Sequence, residues 1–369
     1  MSAASTTSTT IQIITASLQD DGAHSSNQLA PKVKAGQLLR VRRGVYVEAT
    51  SWIRAQPWTR HRIAVAATAA ASDPVFCRET ALLLHNVPLI RVPTAVTART
   101  LQAGGSRTVK PPPLTGPLNV NQFRRLYRQR FPGEPDVHPS RLLNIPTKLL
   151  HPPLSEGISR KQSLGQLRSG TVAPAETHTT PFPEVTVPGL GTYRVEPLEL
   201  AVVDTVSRMP FEDTVVALDW IKAQPTLDLE PWLVYLSNGR LRTRWTNAWE
   251  FASPLSESPG ESRSRALIHR MGFSAPSLQV PISSDRGQVR VDFCWEGDKV
   301  IGEFDGRTKY VDEQMLNGRD PGEVLFAEKL REDALRRAGW TVVRWTWDDL
   351  NNPQRLAKYL AAAGISLRQ

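Results

Sequence analysis

The stretch Arg290-Val-Asp-Phe-Cys-Trp-Glu-Gly-Asp-Lys-Val-Ile-Gly-Glu-Phe-Asp-Gly306 decides the fold of the last third of the chain. Its first part, 290–295, alternates large apolar side chains with smaller or polar ones at a period of two. Such alternation is typical of a β-strand that buries one face. A turn-forming segment, 296–299, and a second apolar run, 300–304, follow at once. The stretch therefore predicts a β-hairpin.

Two acidic residues face each other in the predicted hairpin. With the turn centred between Gly297 and Asp298, Asp292 lies directly opposite Glu303. The Cβ atoms of such a pair are roughly 4.5–5.5 Å apart, and like charges there destabilise the sheet. A cation compensates that repulsion, and carboxylate oxygens are the ligands that Mg²⁺ and Mn²⁺ prefer. The hairpin therefore predicts a site for Mg²⁺ or Mn²⁺ on Asp292 and Glu303.

A third acidic residue, Asp305, has two interpretations. In the predicted register it faces Arg290, and a structural ion pair explains it without any chemistry. It also shares a strand face with Glu303, two residues away, and is close enough to be a third metal ligand. Both interpretations stay open on the sequence alone.

The same residues resemble the signature of the PD-(D/E)XK nucleases. More narrowly, the string D-F-x-W…E-F-D-G…K-Y…E-K-x-R-E-D-x-L-R-x-x-G-W-x-V-V-R-W-T-W resembles a bacterial branch that is similar to very-short-patch-repair endonucleases. The resemblance covers roughly the last third of the chain, and it implies an α/β restriction-endonuclease-like sandwich that cleaves DNA with a metal ion. Two positions depart from the family pattern. Val291 replaces the Pro, and Asp305 replaces the catalytic Lys.

Other residues are candidates for the missing functions of that site. Lys309, in a polar loop, or Lys329, on the following helix, could supply the amine, although lysines are common enough for either match to be coincidence. Glu261 follows Ser258 by three residues, which is a capping box at the start of a helix. The resemblance offers a second role, because a helical Glu at this place often joins the metal site.

Composition narrows the class of protein. The 369 residues predict two or three domains, and a net charge of +9 favours a polyanionic partner such as DNA. Cys77 and Cys294 cannot build a disulfide framework, which suits a reducing cytoplasm. The first 20 residues do not read as a secretory signal, and no stretch approaches the ~20 apolar residues that span a bilayer. We expect a cytoplasmic protein with no membrane partner.

The N-terminal region is organised around a second stretch, Gln37-Leu-Leu-Arg-Val-Arg-Arg-Gly-Val-Tyr-Val47, which predicts two short strands hinged at Arg43-Gly44. A helix that begins near residue 26 and runs toward residue 34 precedes it, after a short helix over 11–18. Because Pro31 is tolerated only in a first turn, the second helix should be short or start late. The strands and helices resemble the N-terminal domain of AbiEi-type antitoxins of type IV toxin–antitoxin systems, which implies a winged helix-turn-helix.

Basic residues in this region predict DNA binding. The helix would enter the major groove while the hairpin arginines contact phosphates or the minor groove. The alternative is a small fold whose basic hairpin is merely solvated. The candidate DNA-binding residues are Lys32, Lys34, Arg40, Arg42 and Arg43.

Three regions follow from these patterns, and together they predict an α/β multidomain protein. Residues 1–57 form the winged helix-turn-helix, 58–250 a mostly helical AbiEi-like region, and 251–369 the nuclease-like domain. A Pro/Ser/Thr-rich insert at about 104–191 lacks the apolar density to build a core alone. The predicted helices beyond the N-terminus cover 62–71, 76–85, 195–204, 214–220, 258–271, 323–338 and 353–364.

Two functions fit the sequence. The first is a DNA-binding protein whose C-terminal domain is a Mg²⁺-dependent endonuclease. The alternative is an antitoxin or transcriptional repressor of a type IV toxin–antitoxin system, with a cognate toxin as partner and a catalytically inactive nuclease fold. A homodimer is compatible with both.

Overall fold

The computed structural model describes residues 12–17, 25–102, 105–154, 158–175, 178–188, 190–236, 238–306 and 321–368. Within them the chain has mixed α/β structure with several small sheets. The chain divides into two compact units. The N-terminal unit comprises Met1–Val87, Arg91–Thr205 and Asp228–Gly239, and the C-terminal unit comprises Pro88–Ile90, Val206–Leu227 and Arg240–Gln369. Residue 57, the predicted end of the first domain, lies inside the N-terminal unit.

The N-terminal unit begins with the predicted helix and hairpin. Its helices are α1 Ser26–Lys34, α2 Ala49–Arg54, α3 Pro57–Ser72, α4 Arg78–Leu84, α5 Val120–Arg130, α6 Arg160–Ser169 and α7 Leu198–Thr205. Its strands are β1 Ile14–Thr15, β2 Leu38–Arg42, β3 Val45–Glu48, β4 Val96–Arg99, β5 Arg107–Val109, β6 Thr147–Leu150, β7 Thr171–Ala175, β8 His178–Pro181, β9 Glu184–Val187 and β10 Gly191–Arg194. Short 3₁₀ helices lie at Pro139–Leu142 and Glu230–Tyr235.

Two local predictions near the N-terminus are wrong. Where a helix over 11–18 was expected, Ile14–Thr15 forms β1, which pairs antiparallel with β3. Ile13 and Ile14 pack against different apolar clusters, as neighbouring residues of a strand do. Helix α1 also contains Pro31 as its sixth residue, beyond the first turn to which the proline was expected to be confined. Buried Leu29 and Val33 flank this proline, so packing offsets the backbone hydrogen bond that it cannot donate.

The hairpin β2–β3 shares its hydrophobic core with the proline-rich segment. Leu39 and Trp52 pack in one cluster with Leu114, Phe123 and Tyr127. The last two lie four residues apart on α5, where they form one apolar helix face. Although the segment has too few apolar residues for a core of its own, it completes the core of the hairpin.

A largely buried ion cluster joins β4 to α7. The Arg99 guanidinium bonds Glu196 through Nε, at 2.5 Å, and Asp204 through Nη2, at 2.7 Å. Arg78 also pairs with Asp204, at 2.9 Å. Burial raises the pKa of Glu196, whereas Arg99 and Arg78 outweigh burial and hold the pKa of Asp204 below its usual value. We call these four residues the Arg99 cluster.

The C-terminal unit is built around one four-stranded sheet. Its helices are α8 Phe211–Lys222, α9 Gly239–Phe251, α10 Pro259–Arg270, α11 Pro321–Arg337, α12 Trp347–Leu350 and α13 Pro353–Ala362. Its strands are β11 Ser277–Ser284, β12 Gly287–Trp295, β13 Val300–Asp305 and β14 Thr341–Thr346, in the order β11-β12-β13-β14. The first three strands are antiparallel, and β14 is parallel to β13.

The predicted hairpin is confirmed as β12–β13. Cys294 pairs with Ile301 and Trp295 pairs with Val300, as the predicted turn requires. Strand β11 was not predicted, because its sequence contains Pro281 and few large apolar residues. It forms the edge of the sheet, the position at which a strand tolerates proline.

Helices cover both faces of this sheet. On one face, Leu267 of α10 and Leu356 of α13 pack with Phe293 and Trp345. On the other face, Leu335 of α11 packs with strand residues that include Ile301. A Cβ atom on Gly302 would lie 2.4 Å from the Trp345 ring, so only glycine fits there. The strand ends that carry the candidate acids are thus held between two helical layers.

Candidate functional site

The predicted acidic residues of the hairpin gather around one small cavity. It measures about 60 Å³ and lies where β12 and β13 meet α11 and β14. Asp292, Glu303 and Asp305 all line it, so the structure brings the three predicted metal ligands together. The other charged residues of its lining are Glu328, Arg331 and Arg344. We call these six residues the Glu303 cluster.

The pairing between β12 and β13 ends just before the two facing acids. The ladder of β12 and β13 runs to Phe293 and Gly302, so Asp292 and Glu303 are the next two residues along it. Asp292 does not continue the ladder through its backbone. Its Oδ2 accepts a hydrogen bond from the backbone N–H of Phe304, at 2.9 Å. This bond fixes the orientation of a carboxylate that lines the cavity.

Arg290 was expected to pair with Asp305, but it has a different acidic partner in the structure. Arg290 pairs with Glu257 at 2.7 Å, and both side chains are exposed. The backbone carbonyl of Arg290 accepts a hydrogen bond from Arg331. Asp305 instead lines the cavity next to Glu303. The expected ion pair is therefore wrong, and the role of Asp305 as a third metal ligand stays a prediction.

Glu303 is the centre of the cluster. It is only 7% exposed. Its Oε1 pairs with Arg331 Nη2 and its Oε2 with Arg344 Nη2, both at 2.9 Å. Burial raises the pKa of this carboxyl, while the two arginines oppose the rise and Asp292 adds to it. Both oxygens therefore have a cationic partner although the group is nearly removed from water.

The two arginines bind other acids as well. Arg344 contacts Glu328 at 3.3 Å and Glu332 at 3.1 Å. Burial alone would lower the pKa of Arg344, but the surrounding glutamates hold it above the usual value. Among the residues that the structure describes, four carboxylates and two guanidinium groups line the cavity.

The donor set suits a divalent cation in chemistry and charge, since hard cations take carboxylate oxygens. Its present arrangement is closed around the arginines. Within the described ranges, no group of three or more acidic, His or Cys side chains is arranged to hold a metal ion. Each Glu303 oxygen is already paired, so an incoming ion would have to displace Arg331 or Arg344.

Glu261 has a capping role in the structure. It is buried at the start of α10, where Ser258 accepts a hydrogen bond from its backbone N–H. Its carboxylate accepts hydrogen bonds from Glu257 N at 2.9 Å, Ser258 Oγ at 2.7 Å and Gln279 Nε2 at 2.9 Å. Burial raises its pKa despite these bonds, and the charge of Asp292 contributes. It does not line the acidic cavity, so capping accounts for this residue.

Of the two predicted amines, the structure describes Lys329 alone. Lys309 lies outside the described residues. Lys329 is exposed on α11 and is not part of the cavity lining. Among the described residues, the cations at the cavity are Arg331 and Arg344, which are not in the predicted set of site residues. A lone arginine within the apolar run of β14 is the signal that could have identified Arg344.

The basic residues of the N-terminal region separate into exposed and buried groups. Lys32, Lys34 and Arg43 are exposed, and Arg40 is partly buried. Arg42 is only 7% exposed; its guanidinium bonds Thr68 Oγ1 and Val41 O, both at 2.9 Å. Burial lowers its pKa to about 10. The assignment of Arg42 to DNA is therefore corrected: it is a core residue that cannot reach a phosphate.

Comparison of the sequence with protein-family models found no matching family, and comparison with curated proteins found no matching relative. Among the helices that the structure describes, none is long and apolar enough to cross a membrane.

Proposed function

We propose that the protein is a DNA-binding, metal-dependent endonuclease of the PD-(D/E)XK class. The observation that carries the proposal is the gathering of Asp292, Glu303 and Asp305 around one cavity at the end of the β12–β13 hairpin. Like-charged carboxylates held together in a half-buried place are costly unless a cation joins them. The sheet covered by helices on both faces agrees with the sandwich that the sequence resemblance implies.

In this proposal Asp292, Glu303 and Asp305 hold Mg²⁺ or Mn²⁺. Such an ion, when bound, lowers the pKa of a water molecule and neutralises charge on the scissile phosphate. The Phe304 N–H keeps Asp292 in place, at 2.9 Å. Arg331 and Arg344, once released from Glu303, stand beside the same cavity, where a guanidinium can bind phosphate oxygens. This would replace the charge of the absent family lysine.

The N-terminal region would supply DNA affinity. Helix α1 followed by the β2–β3 hairpin agrees with a winged helix-turn-helix, with Lys32 and Lys34 on the helix and Arg43 at the hairpin tip. These three are the exposed members of the predicted set. Phosphate contacts of this kind position a protein on DNA without reading its sequence.

A second function is favoured by a specific observation. Both oxygens of Glu303 are paired with arginines, which is what a nuclease fold that no longer binds metal would show. The protein would then be an antitoxin or repressor that binds DNA, with a cognate toxin as partner, alone or as a homodimer. The two functions differ in whether a divalent ion binds.

Cleavage assays test the proposal directly. The purified full chain is incubated with plasmid, linear duplex and single-stranded DNA in Mg²⁺, Mn²⁺ or EDTA. We expect metal-dependent cleavage that Asp292→Asn lowers by about 10³-fold, as is typical when one essential group is removed. Asp285→Asn is the matched control, because Asp285 is an exposed acid of the same sheet that pairs with Arg337.

The opposite outcome is equally informative. If no metal supports cleavage, and calorimetry shows no Mg²⁺ or Mn²⁺ binding while DNA binding persists, the nuclease proposal is wrong and the repressor remains. Equal cleavage by Asp292→Asn and the wild type would place the activity elsewhere.

A further inference from the structure

A second, larger cavity lies in the C-terminal unit and shares no lining residue with the acidic one. It measures about 710 Å³ and is bounded by α8, α9, α10 and the end of the chain. This volume is in the range of about 300–1,000 Å³ that small-molecule sites occupy. Its lining combines three aromatic rings with arginines, and we call it the aromatic–arginine pocket. The residues that carry the argument are Ser207, Phe211, Arg244, Phe251, His269 and Arg368.

Three rings of the pocket touch one another. The centroids of Phe211 and Phe251 are 5.3 Å apart, and those of Phe251 and His269 are 4.6 Å apart. All three side chains are only partly buried, so apolar ring surface remains open to the cavity. Aromatic surface of this kind stacks on flat groups, and each stacked nucleobase contributes binding energy regardless of its identity.

Two arginines of the pocket have only neutral partners in the described part of the chain. Arg244 donates to the backbone carbonyl of Met209. Arg368 donates to Nδ1 of His269 at 2.9 Å and to its backbone carbonyl at 2.8 Å. Arg270 differs, because Glu212 neutralises it. Glu250 is the acid of the lining, so the two guanidinium groups outnumber it and favour an anionic ligand.

A buried hydroxyl adds an independent observation. Ser207 is 2% exposed and lines the pocket, yet its Oγ forms no hydrogen bond within the described residues. Buried polar atoms of proteins are nearly always paired. A polar group of a ligand in the cavity would give this hydroxyl its partner.

We infer that the aromatic–arginine pocket binds one nucleotide unit, with the base against Phe211 and Phe251 and the phosphate on Arg244 and Arg368. The unit is either a free nucleotide or an unstacked nucleotide of a single DNA strand. Both present the same flat base and anionic phosphate. The inference does not depend on cleavage, and it stands whether or not the acidic cavity binds metal.

Calorimetric titration of the full chain with dAMP tests this inference, in EDTA so that cleavage plays no part. Deoxyadenosine tests the base alone, and inorganic phosphate tests the anion alone. We expect dAMP to bind at least about tenfold more tightly than either fragment, because stacking and charge act together.

Variants locate the binding. Arg244→Gln and Arg368→Gln should each weaken dAMP binding by about tenfold, as expected for a charge-assisted hydrogen bond. Phe211→Leu should weaken it by a smaller factor. Arg240→Gln is the matched control, since Arg240 is exposed on the same helix as Arg244 but does not line the pocket. Circular dichroism melting verifies that each variant folds.

A short single-stranded oligonucleotide distinguishes the two sources. If it displaces dAMP and loses affinity in Arg244→Gln, the ligand is a unit of a DNA strand. If it binds independently of Arg244 while dAMP does not, the ligand is a free nucleotide. Absence of dAMP binding, or unchanged affinity in the Arg244→Gln and Arg368→Gln double variant, overturns the inference.

Discussion

The Arg99 cluster and the Glu303 cluster are built from the same groups but differ in balance and in access to solvent. In the first, two arginines meet two carboxylates, and the side chains of Arg99, Glu196 and Asp204 are at most 2% exposed. In the second, two arginines meet four carboxylates around a cavity, and the Arg331 side chain is 37% exposed. The first cluster is closed to solvent, whereas the second borders a cavity.

This difference separates structural from functional ion pairs. A buried pair in which every charge is compensated holds elements together but offers nothing to a ligand. A cluster whose carboxylates border a cavity is instead accessible to a ligand. Perturbed carboxyl pKa values occur in both clusters, so the pKa shift alone does not identify the site.

The largest expected difference in the free energy of unfolding comes from replacing one arginine in each cluster. Arg99→Met leaves Glu196 and Asp204 buried with their main partner gone, and should cost about 3–5 kcal/mol in the free energy of unfolding. Arg331→Met removes a side chain that is 37% exposed and leaves the buried Glu303 carboxylate paired with Arg344, so it should cost only about 1–2 kcal/mol. Urea unfolding of the full chain measures both. Similar losses for the two variants would show that the Glu303 cluster is structural too.

Replacing one acid in each cluster tests the same difference between the two clusters. The pKa of Asp204 is held low, so its charge is favoured in the fold, and Asp204→Asn should destabilise by about 2–4 kcal/mol. The pKa of Glu303 is raised, so its charge is disfavoured there. Glu303→Gln should therefore leave the melting temperature of the metal-free protein equal or higher. A clear drop in Glu303→Gln would contradict the functional interpretation of this acid.

The pH dependence of stability tests a third buried ionisable position, a histidine in the N-terminal unit. His61 is as fully buried as Arg99, but it faces Arg42 rather than a carboxylate. Burial lowers its pKa from 6.5 to about 4, with Arg42 contributing and the Pro93 backbone opposing. The unfolded chain therefore takes up the proton first as the pH falls. Stability is complete above about pH 6.5 and declines toward pH 4, by about 2 kcal/mol between pH 7 and 5.

The His61→Gln variant provides the control for this pH dependence. Its unfolding free energy, measured at the same pH values, should lack that share of the decline. A slope equal to that of the wild type would mean that other groups cause the acid sensitivity.

The smallest expected effect distinguishes an exposed arginine from a buried one in the same hairpin. If Arg43 contacts a phosphate, Arg43→Gln should reduce the log–log slope of DNA affinity against salt by about 0.9. Arg42→Gln should leave the slope unchanged, because Arg42 bonds Thr68 in the core. Gel-shift titrations at several salt concentrations measure both slopes. An unchanged slope in Arg43→Gln removes this residue from the DNA interface.

Local patterns in the sequence predicted much of the C-terminal sheet and the acids of its site. The period of two and the turn at 296–299 were enough to set the register, so Cys294 meets Ile301 as expected. The register in turn placed Asp292 next to Glu303. Helix α10 followed from its cap at Ser258, which depends only on nearby residues.

Contacts between distant residues could not be predicted in the same way. Arg331 lies on a helix and Arg344 on a strand, and in both elements the local sequence pattern is that of ordinary charged surface residues. Only the folded chain brings the two arginines to Glu303. The burial of Arg42 depends on Thr68 and on Asn144, which is 102 residues away. Strand β11 was missed for a related reason, since pairing with β12 outweighs its weak intrinsic preference.

The shared core of the β2–β3 hairpin affects how the chain folds during synthesis. Trp52 donates a hydrogen bond to the carbonyl of Arg141, 89 residues later. A ribosome adds about 5–20 residues per second, so some 5–20 seconds pass between the emergence of the hairpin and that of its last packing partners. During this interval Leu39 and Val41 lack the side chains that cover them in the finished core. The hairpin thus emerges well before the side chains that complete its core, and for that interval it is accessible to chaperones, proteases and neighbouring chains.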